Sequence, residues 1–170
     1  MKILSGRYKG LSIVTSKNNS YRPTQTRIRK SIFDILRPFK YLKVLDLYSG
    51  SGILGFESAS RGAESITFVE NNSFAVQMLI KNKNNFKNSN ILIARKKVEV
   101  FLKNNKQNYD LIFADPPYDI IDYNILMNRC IKILSKNGKL IVEMRNGCFS
   151  FNGSIDKKYG DTKILIYNKI

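Results

Sequence analysis

The stretch Val44-Leu45-Asp46-Leu47-Tyr48-Ser49-Gly50-Ser51-Gly52 decides the fold, because an apolar run typical of a buried strand leads directly into a glycine-rich loop. Apolar residues resume at Ile53, where a helix is expected to begin. A second apolar run, Tyr109–Ala114, leads into Asp115-Pro116-Pro117-Tyr118, and consecutive prolines cannot continue a strand. The carboxyl ends of parallel strands meet at one edge of a sheet, where ligands bind. We therefore expect the two loops to lie side by side at that edge.

Strand-like and helix-like patterns alternate along most of the chain. The apolar runs predict strands near residues 42–48, 65–70, 90–94, 109–114 and 138–144. Helical spacing predicts helices near residues 53–61, 72–87, 97–104 and 122–135. The alternation predicts an α/β fold with a Rossmann-like, doubly wound, mostly parallel sheet.

The two ends of the chain depart from this alternation. Residues 1–14 are expected to form a short hairpin, and Thr24 is expected to cap a helix that ends near Leu36. Asn137 and Gly138 are expected to stop the last helix. After it, residues 149–151 and 163–167 are expected to pair as a C-terminal antiparallel hairpin. With 170 residues, the chain fits a single domain over 1–170, in which 1–40 would be a basic, RNA-contacting N-terminal hairpin and helix.

Two cofactors are compatible with the glycine loop. Gly50, Gly52 and Gly55 match the dinucleotide pattern G-x-G-x-x-G, and Glu70 follows at a spacing that suits a ribose contact. Asp46 favours S-adenosylmethionine (SAM) over NAD, because a carboxylate before the loop would repel a pyrophosphate and attract the ammonium of SAM. Gly50 and Gly52 would then cradle the methionine end, while Glu70 would accept hydrogen bonds from the ribose hydroxyls.

The turn Asp115-Pro116-Pro117-Tyr118 suits a planar exocyclic amine of a nucleobase. Such an amine is a poor nucleophile because its lone pair is delocalised into the ring. The Asp115 carboxylate and the Pro116 carbonyl can accept its two N–H groups and direct the lone pair at an electrophilic methyl. Tyr118 offers an aromatic face on which an extruded base can stack. An ordinary strand-ending turn is the alternative interpretation of the same residues.

With these motifs the chain resembles, over nearly its whole length, the RsmD-type 16S ribosomal RNA (guanine-N2) methyltransferases of the class I SAM-dependent superfamily. The matching segments are Lys2–Gly10, Arg22-Pro23-Thr24, Arg27-Ile28-Arg29, Ile32-Phe33, Asp46–Gly52, Leu54–Glu57, Ser60–Ala63, Val69-Glu70 and Asp115–Tyr118. Many amino-methyltransferases share the glycine loop and the reaction turn. The arginine-containing block before the first sheet strand is more specific to this family.

The resemblance implies methylation of the N2 amine of a guanine in small-subunit ribosomal RNA, free or within an assembling small ribosomal subunit. It implies catalytic roles for Asp115, Pro116 and Tyr118, and cofactor contacts for Asp46, Tyr48, Gly50, Gly52 and Glu70. The chain departs from the family at Lys96-Lys97, where an acidic or amide residue usually meets the adenine amine of SAM, because a lysine cannot accept that hydrogen bond. Lys30 also stands where the family more often has Glu.

The charge of the chain indicates a nucleic-acid partner. Its formal net charge is +16, from 29 basic and 13 acidic residues, and residues 1–43 contain eleven Lys or Arg against the single acid Asp34. Such an excess attracts phosphates without reading sequence. A lysine-rich genomic bias would account for many lysines but not for the clustered arginines, whose planar guanidinium groups suit phosphate. The predicted RNA contacts are Arg7, Arg22, Arg27 and Arg29.

Other features of the sequence exclude several classes of protein. Cys130 and Cys148 have no metal-ligand spacing, and the chain has no histidine, so no metal site is expected. No apolar run suits a signal peptide or a membrane span, which predicts a cytoplasmic protein without a membrane partner. Self-repulsion of the basic surface favours a monomer.

Two other functions remain open at this point. A DNA or RNA adenine-N6 amino-methyltransferase shares the reaction turn, although a duplex-reading enzyme usually needs an additional recognition segment. A non-catalytic, SAM-binding ribosome assembly factor is the second alternative, since a fold does not determine a function. The acidic residues Asp46, Glu70 and Asp115 argue against it, because an inactive site has no need for all three.

Overall fold

The computed structural model describes residues 1–15, 26–117 and 121–170. The helices of this described part are α1 (Thr26–Ile35), α2 (Ile53–Ser60), α3 (Ser73–Lys83), α4 (Val98–Asn104) and α5 (Tyr123–Lys132). Its strands are β1 (Lys43–Leu47), β2 (Ser65–Glu70), β3 (Asn90–Arg95), β4 (Tyr109–Ala114), β5 (Leu134–Arg145), β6 (Ser154–Tyr159) and β7 (Thr162–Asn168). The predicted cap residue of the first helix, Thr24, lies outside the described residues.

These strands form one sheet in the order β3-β2-β1-β4-β5-β7-β6. Strands β1 to β5 pair in parallel, whereas β7 runs antiparallel to both of its neighbours, β5 and β6. The strand order reverses between β1 and β4, which is the position at which doubly wound sheets bind ligands. The predicted mostly parallel sheet with a C-terminal antiparallel hairpin is therefore confirmed.

Helices cover both faces of the sheet. On the first face, α1, α2 and α3 contribute Phe33, Phe56 and Leu79 to one apolar core cluster. On the second face, α4 and α5 contribute Leu102 and Met127 to another. Because the central strands are covered on both sides, their sequences read as continuous apolar runs, and this is why the strands could be located from the sequence.

The predicted end of the last helix is wrong. Helix α5 ends at Lys132, and Asn137 and Gly138 lie within β5. Asn137 has a φ of 60°, and the register between β4 and β5 shifts just after Tyr109. The two residues therefore mark an irregularity inside a long strand, where the backbone leaves the extended conformation. Asn and Gly are common at such positions and also at helix ends, because both adopt positive φ values readily.

The predicted strand at residues 149–151 is also wrong, because the hairpin begins later, with β6 at Ser154. Phe149 instead stacks on Tyr123 with ring centroids 5.5 Å apart. Phe151 meets Tyr167 edge to face at 5.8 Å. The apolar character of this segment thus reflects aromatic packing against the second face of the sheet rather than strand pairing.

The N-terminal residues are held against α2 by the carboxylate of Glu57. This side chain is completely buried, and it accepts hydrogen bonds from the backbone N–H groups of Leu4 at 2.7 Å and Ser5 at 3.1 Å. It also forms an ion pair with Arg61, with 2.7 Å between Nη2 and Oε1. A charge removed from water in this way stabilises a fold only while its partners are present. Glu57 is therefore one of the buried groups that position residues 1–13 on α2.

Among the residues described, no helix combines the length and the apolar character that a membrane crossing requires. In the same part of the chain, no group of three or more His, Cys, Asp or Glu side chains could hold a metal ion.

Candidate active site

The glycine loop and the reaction turn meet at the carboxyl edge of the sheet. Leu47, the last residue of β1, pairs with Ala114, the last residue of β4. Tyr48 and Asp115 follow these two residues directly, so the two loops start on adjacent strands about 5 Å apart. The juxtaposition predicted from the sequence is present in the fold.

The glycine loop is bent by residues in the left-handed region and is fastened to β2. Tyr48, Gly50 and Gly52 have φ values of 55°, 49° and 73°. The Ser49 N–H donates to the Val69 carbonyl at 3.2 Å, and the Ser49 hydroxyl accepts from the Val69 N–H at 2.9 Å. A loop held through both groups of one backbone residue keeps its shape without a ligand, which favours binding by reducing the ordering that a ligand must cause.

Gly52 of the loop and Gly55 of α2 are required by packing within the protein. A Cβ atom at Gly52 would lie 2.4 Å from Cδ2 of Leu79, and one at Gly55 would lie 2.3 Å from Cε1 of Phe68. Both distances are far below van der Waals contact. The absence of side chains at these positions therefore lets α2 approach β2 and α3. The sequence pattern alone did not reveal this packing requirement for glycine.

Asp46 lies beneath the loop and is 3% exposed. Its Oδ2 accepts a hydrogen bond from the Gly55 N–H at 3.0 Å. Burial raises the pKa of this carboxyl to about 8, the Gly55 hydrogen bond opposes the rise, and the negative charge of Glu70 adds to it. The Asp46 carboxyl is therefore largely protonated at neutral pH unless a cation is brought close to it.

Glu70 joins the end of β2 to the glycine loop. One carboxylate oxygen accepts from the Gly50 N–H at 2.8 Å, and the other accepts from the Asn72 N–H at 2.7 Å. These bonds hold the half-buried carboxylate at the edge of the sheet beside the loop. Each oxygen can accept a further hydrogen bond, so the group retains capacity for hydroxyl donors.

A cavity of about 260 Å³ lies at the same edge, between α4 and α5. It opens beside Tyr48, whose hydroxyl donates to Oε1 of Glu99 at 3.4 Å. Burial, together with the negative charge of Glu99, raises the pKa of the Tyr48 hydroxyl. The cavity is lined by Tyr48, Val98, Glu99, Leu102, Ile121, Asp122, Ile125, Leu126 and Arg129. Its walls are mostly apolar, with a carboxylate at the rim.

The reaction turn is described only in part. Asp115 is half-buried, Pro116 is buried and Pro117 is exposed. Tyr118 lies outside the described residues, and its predicted stacking role stays a prediction. The buried Pro116 places the start of this turn against the protein interior.

The three predicted RNA contacts that the structure describes differ in their surroundings. Arg7 is exposed, but its N–H bonds to the carbonyl of Ser60 at the C-terminus of α2, which is the end of the helix away from the glycine loop. Arg27 is exposed on α1. Arg22 lies outside the described residues. The structure therefore separates Arg7 from the reaction turn by the length of α2.

Arg29 does not fit its predicted role, because it is only 2% exposed. One Nη donates to the Lys2 carbonyl at 2.8 Å, and burial together with the charge of Arg61 lowers the pKa of the guanidinium, against the opposing effect of Glu57. A phosphate cannot reach a side chain buried in this way. Arg29 instead links α1 to the N-terminal segment, and a basic pattern along α1 could not distinguish the two roles.

Two acidic residues gain importance that the sequence interpretation did not assign. Glu57 was noticed only as part of a matching segment, because its burial depends on how the N-terminal residues return to α2. Glu99 lies just beyond the Lys96-Lys97 pair. The sequence could have indicated Glu99 as a candidate, because it is an acidic residue in the first turn of the helix that follows β3.

Comparisons with known proteins relate the chain to one family. The family model described as Conserved hypothetical protein 95 matches residues 1–168. Ribosomal RNA small subunit methyltransferase D of Buchnera aphidicola subsp. Baizongia pistaciae is 34% identical, with 82% of this chain and 70% of that protein covered. The protein of the same name from Escherichia coli K12 is 31% identical, with 84% and 71% covered. A solved structure of a hypothetical protein from Thermus thermophilus has a TM-score of 0.86 at 26% identity and covers 100% of this chain and 99% of its own.

Proposed function

Because the chain belongs to the family of the ribosomal RNA small subunit methyltransferase D proteins, we propose that it transfers a methyl group from SAM to the N2 amine of a guanine in small-subunit ribosomal RNA. The family predicted from the sequence motifs is confirmed by this membership. The observation that carries the proposed reaction is the pairing of Leu47 with Ala114, by which the glycine loop and the reaction turn begin on adjacent strands. We expect the protein to act as a monomer in the cytoplasm.

The residues around the glycine loop fit SAM. The buried Asp46 carboxyl suits the ammonium of the methionine moiety, since a nearby cation favours its ionised form. Glu70, with an acceptor lone pair left on each oxygen, suits the ribose diol. A dinucleotide would bring a pyrophosphate, which offers no cation to favour the ionised form of the buried Asp46 carboxyl. These contacts support SAM over NAD.

The cavity beside Tyr48 suits the adenine ring of SAM. Val98, Leu102 and Ile125 offer apolar walls, and Glu99 at the rim can accept a hydrogen bond from the adenine amine. In this proposal Glu99 takes the role that the family assigns to the position occupied here by Lys96-Lys97. The adenine amine would then meet a carboxylate in the first turn of α4, whereas in the family it usually meets an acidic or amide residue that precedes this helix.

Replacing Glu99 with alanine is expected to raise the Kd for SAM about tenfold, because one charge-assisted hydrogen bond is lost. Isothermal titration calorimetry checks this change, and Lys103→Ala on the same helix is the control. The inosyl analogue of SAM carries a carbonyl in place of the adenine amine. The wild type should bind SAM more tightly than this analogue, and Glu99→Ala should not. Equal discrimination by both proteins would remove Glu99 from adenine recognition.

The acceptor amine would be held by the reaction turn. Bound SAM supplies an electrophilic methyl group on its sulfonium. Asp115 accepts one N–H of a guanine flipped from the RNA, the Pro116 carbonyl accepts the other, and Tyr118 stacks on the base. Two acceptors that hold the amine out of the ring plane direct its lone pair in line with the methyl group. The proton released after transfer can pass to Asp115 or to water.

The raised pKa of Asp46 predicts that SAM affinity depends on pH. The ammonium of SAM favours the ionised carboxylate, so binding should release a proton from Asp46 below its pKa of about 8. The Kd should therefore fall as the pH rises from about 6 to about 7.5, by up to about tenfold per pH unit. Calorimetry in two buffers of different ionisation enthalpy measures both the Kd and the released proton.

The matched variant for this prediction is Asp46→Asn, whose amide oxygen can still accept the Gly55 N–H. It should bind SAM more weakly, with a Kd that is flat over the same pH range and no proton release. A flat profile in the wild type, or an unchanged slope in Asp46→Asn, would contradict the proposed ammonium contact.

The proposed reaction is tested by incubating the protein with methyl-labelled SAM and, in parallel, small ribosomal subunits, protein-free small-subunit ribosomal RNA and duplex DNA. Nucleoside digestion then identifies the product. Labelled N2-methylguanosine from either RNA substrate supports the proposal, and the more active of the two is the preferred substrate. Label found only in methyladenine would identify an adenine-N6 enzyme. SAM binding without label in any substrate would favour the assembly-factor alternative.

A further inference from the structure

The C-terminal hairpin forms a wall beside the reaction turn. Ala114, at the end of β4, pairs with Val142 of β5, and β5 continues for three residues to Arg145. Arg145 pairs with Thr162, and Thr162 pairs with Tyr159 at the end of β6. The tip of the hairpin therefore extends about 10 Å beyond the level at which β4 ends. The hairpin tip therefore projects at the same edge of the sheet as Asp115.

Helix α1 is joined to the same hairpin. The Ser31 hydroxyl forms a hydrogen bond with the Tyr159 hydroxyl. Arg27 lies four residues before Ser31 and three residues before Lys30, so its side chain neighbours both on the surface of α1. Arg27 and Lys30 are exposed. Arg27 thus lies on the side of α1 that meets the hairpin, and Lys30 flanks it on the side away from Ser31.

Strand β6 adds a lysine to this side. In an antiparallel pair, residues directly opposite each other have side chains on the same face of the sheet. Lys157 is opposite Ile164, which belongs to the core cluster of the first face, where α1 packs. Lys157 is exposed, and Tyr159, two residues later on the same face, packs against that cluster. Lys157 therefore lies on the α1 side of the hairpin.

The neighbouring Lys158 lies on the opposite face. It is paired with Lys163, whose Nζ forms an ion pair with Asp156 at 2.8 Å and donates to the carbonyl of Phe149. Phe149 packs on the core cluster of the second face. Lys157 and Lys158 are thus exposed lysines, adjacent on one edge strand, that point to different sides of the sheet.

We propose that Arg27, Lys30 and Lys157 form one RNA-backbone surface, called here the α1–hairpin surface, which holds phosphates of the strand that flanks the target nucleotide. This inference rests on the proposed function. Strand β6 lies three strand spacings from β4, or about 14 Å, so the surface contacts phosphates near the flipped base but not those of the target nucleotide itself. The one acidic residue of α1, Asp34, forms an ion pair with Arg37 at 3.3 Å, and this pairing reduces the repulsion between Asp34 and a phosphate.

Protection of an edge strand is the competing role for these lysines, since charged side chains on an edge discourage pairing with other chains. If the lysines only protect the edge strand, replacing Lys157 and replacing Lys158 should have the same effect on RNA affinity. If an RNA surface lies on the α1 side, only the replacement of Lys157 should weaken RNA binding. The two residues have equal charge and adjacent positions in the same strand, so they form a matched pair.

The experiment compares Lys157→Ala with Lys158→Ala in binding to protein-free small-subunit ribosomal RNA and to isolated small subunits over a range of salt concentrations. Lys157→Ala should weaken binding severalfold and reduce the magnitude of the slope of log K against log salt by about 0.7. Lys158→Ala should behave like the wild type. Arg27→Ala and Lys30→Ala should each reproduce the effect of Lys157→Ala, and all four variants should keep the wild-type melting temperature and SAM affinity.

Equal slopes for Lys157→Ala and Lys158→Ala would overturn the α1–hairpin surface, as would the absence of binding by the wild type to either RNA sample. The methyl-transfer assay separates this failure from failure of the proposed function. If the wild type labels guanine and the two lysine variants bind alike, only the surface is wrong. If Lys157→Ala alone loses RNA affinity while no substrate is labelled, the surface is retained and the proposed reaction is wrong.

Discussion

Asp115→Ala is expected to lower kcat for methyl transfer by about a hundred- to a thousandfold, the loss typical of removing one preorganised hydrogen-bonding group from a reacting centre. The reason is that the acceptor amine loses the carboxylate that orients its lone pair. The Kd for SAM should change by less than about twofold, because Asp115 is proposed to contact the acceptor and not the cofactor. Single-turnover methyl transfer and calorimetry measure the two quantities.

Asp115→Asn and Asp161→Ala complete this experiment. The amide of Asn keeps one acceptor oxygen, so its kcat should fall between those of the wild type and the alanine variant. Asp161 is exposed in the turn between β6 and β7, and its replacement should leave kcat unchanged. Melting temperatures of all variants separate a catalytic loss from unfolding. If a folded Asp115→Ala variant turned over at near the wild-type rate, the reaction turn would not hold the acceptor amine.

Glu57→Ala is expected to lower the free energy of unfolding by about 3–5 kcal/mol, the range for breaking a buried ion pair by removing one partner. The variant leaves the buried part of Arg61 without its carboxylate and leaves the N–H groups of Leu4 and Ser5 without an acceptor. Urea denaturation followed by circular dichroism measures the change. Residues 1–13 should also become more susceptible to proteolysis, because two of their backbone N–H groups lose their acceptor on α2.

The control for this change is Glu64→Ala, which removes an exposed carboxylate just after the end of α2. Its free energy of unfolding should stay within about 0.5 kcal/mol of the wild type. Glu57→Gln keeps the size of the side chain and one acceptor oxygen but loses the charge, so it should be intermediate. A similar small loss for Glu57→Ala and Glu64→Ala would mean that the hydrogen bonds formed by Ser60 and Arg29, together with apolar contacts, suffice to hold the N-terminal segment in place.

The parallel part of the fold could be predicted from the sequence because each of its central strands is buried on both faces. The apolar run Leu111–Ala114 of β4, followed after Asp115 by two prolines, is typical of a buried strand. The C-terminal part was harder to predict. Phe149 and Phe151 had the composition of a strand but pack as aromatic rings, and Asn137 and Gly138 mark a strand irregularity with the residue types of a helix end.

The candidate site could likewise be predicted from the sequence only in part. The positions of Asp46, Glu70 and Asp115 at the carboxyl ends of strands followed from local sequence, because each comes directly at or after an apolar run. The burial of Arg29 did not follow, since its exposure depends on where residues 1–13 return to α2. The packing roles of Gly52 and Gly55 also depend on side chains from other elements.

The sequence by itself determined the alternation of elements, the two loops and their side-by-side arrangement, because these depend on hydrophobic periodicity and on residues adjacent in the chain. Only the tertiary structure decided which charged side chains face solvent. It buried Arg29 and Glu57, and it directed Lys157 and Lys158 to opposite faces of the sheet. The physical reason is that the burial of a side chain, and the face of the sheet on which it lies, are set by contacts between segments far apart in sequence. Charge and secondary-structure propensity, in contrast, are local properties of each residue.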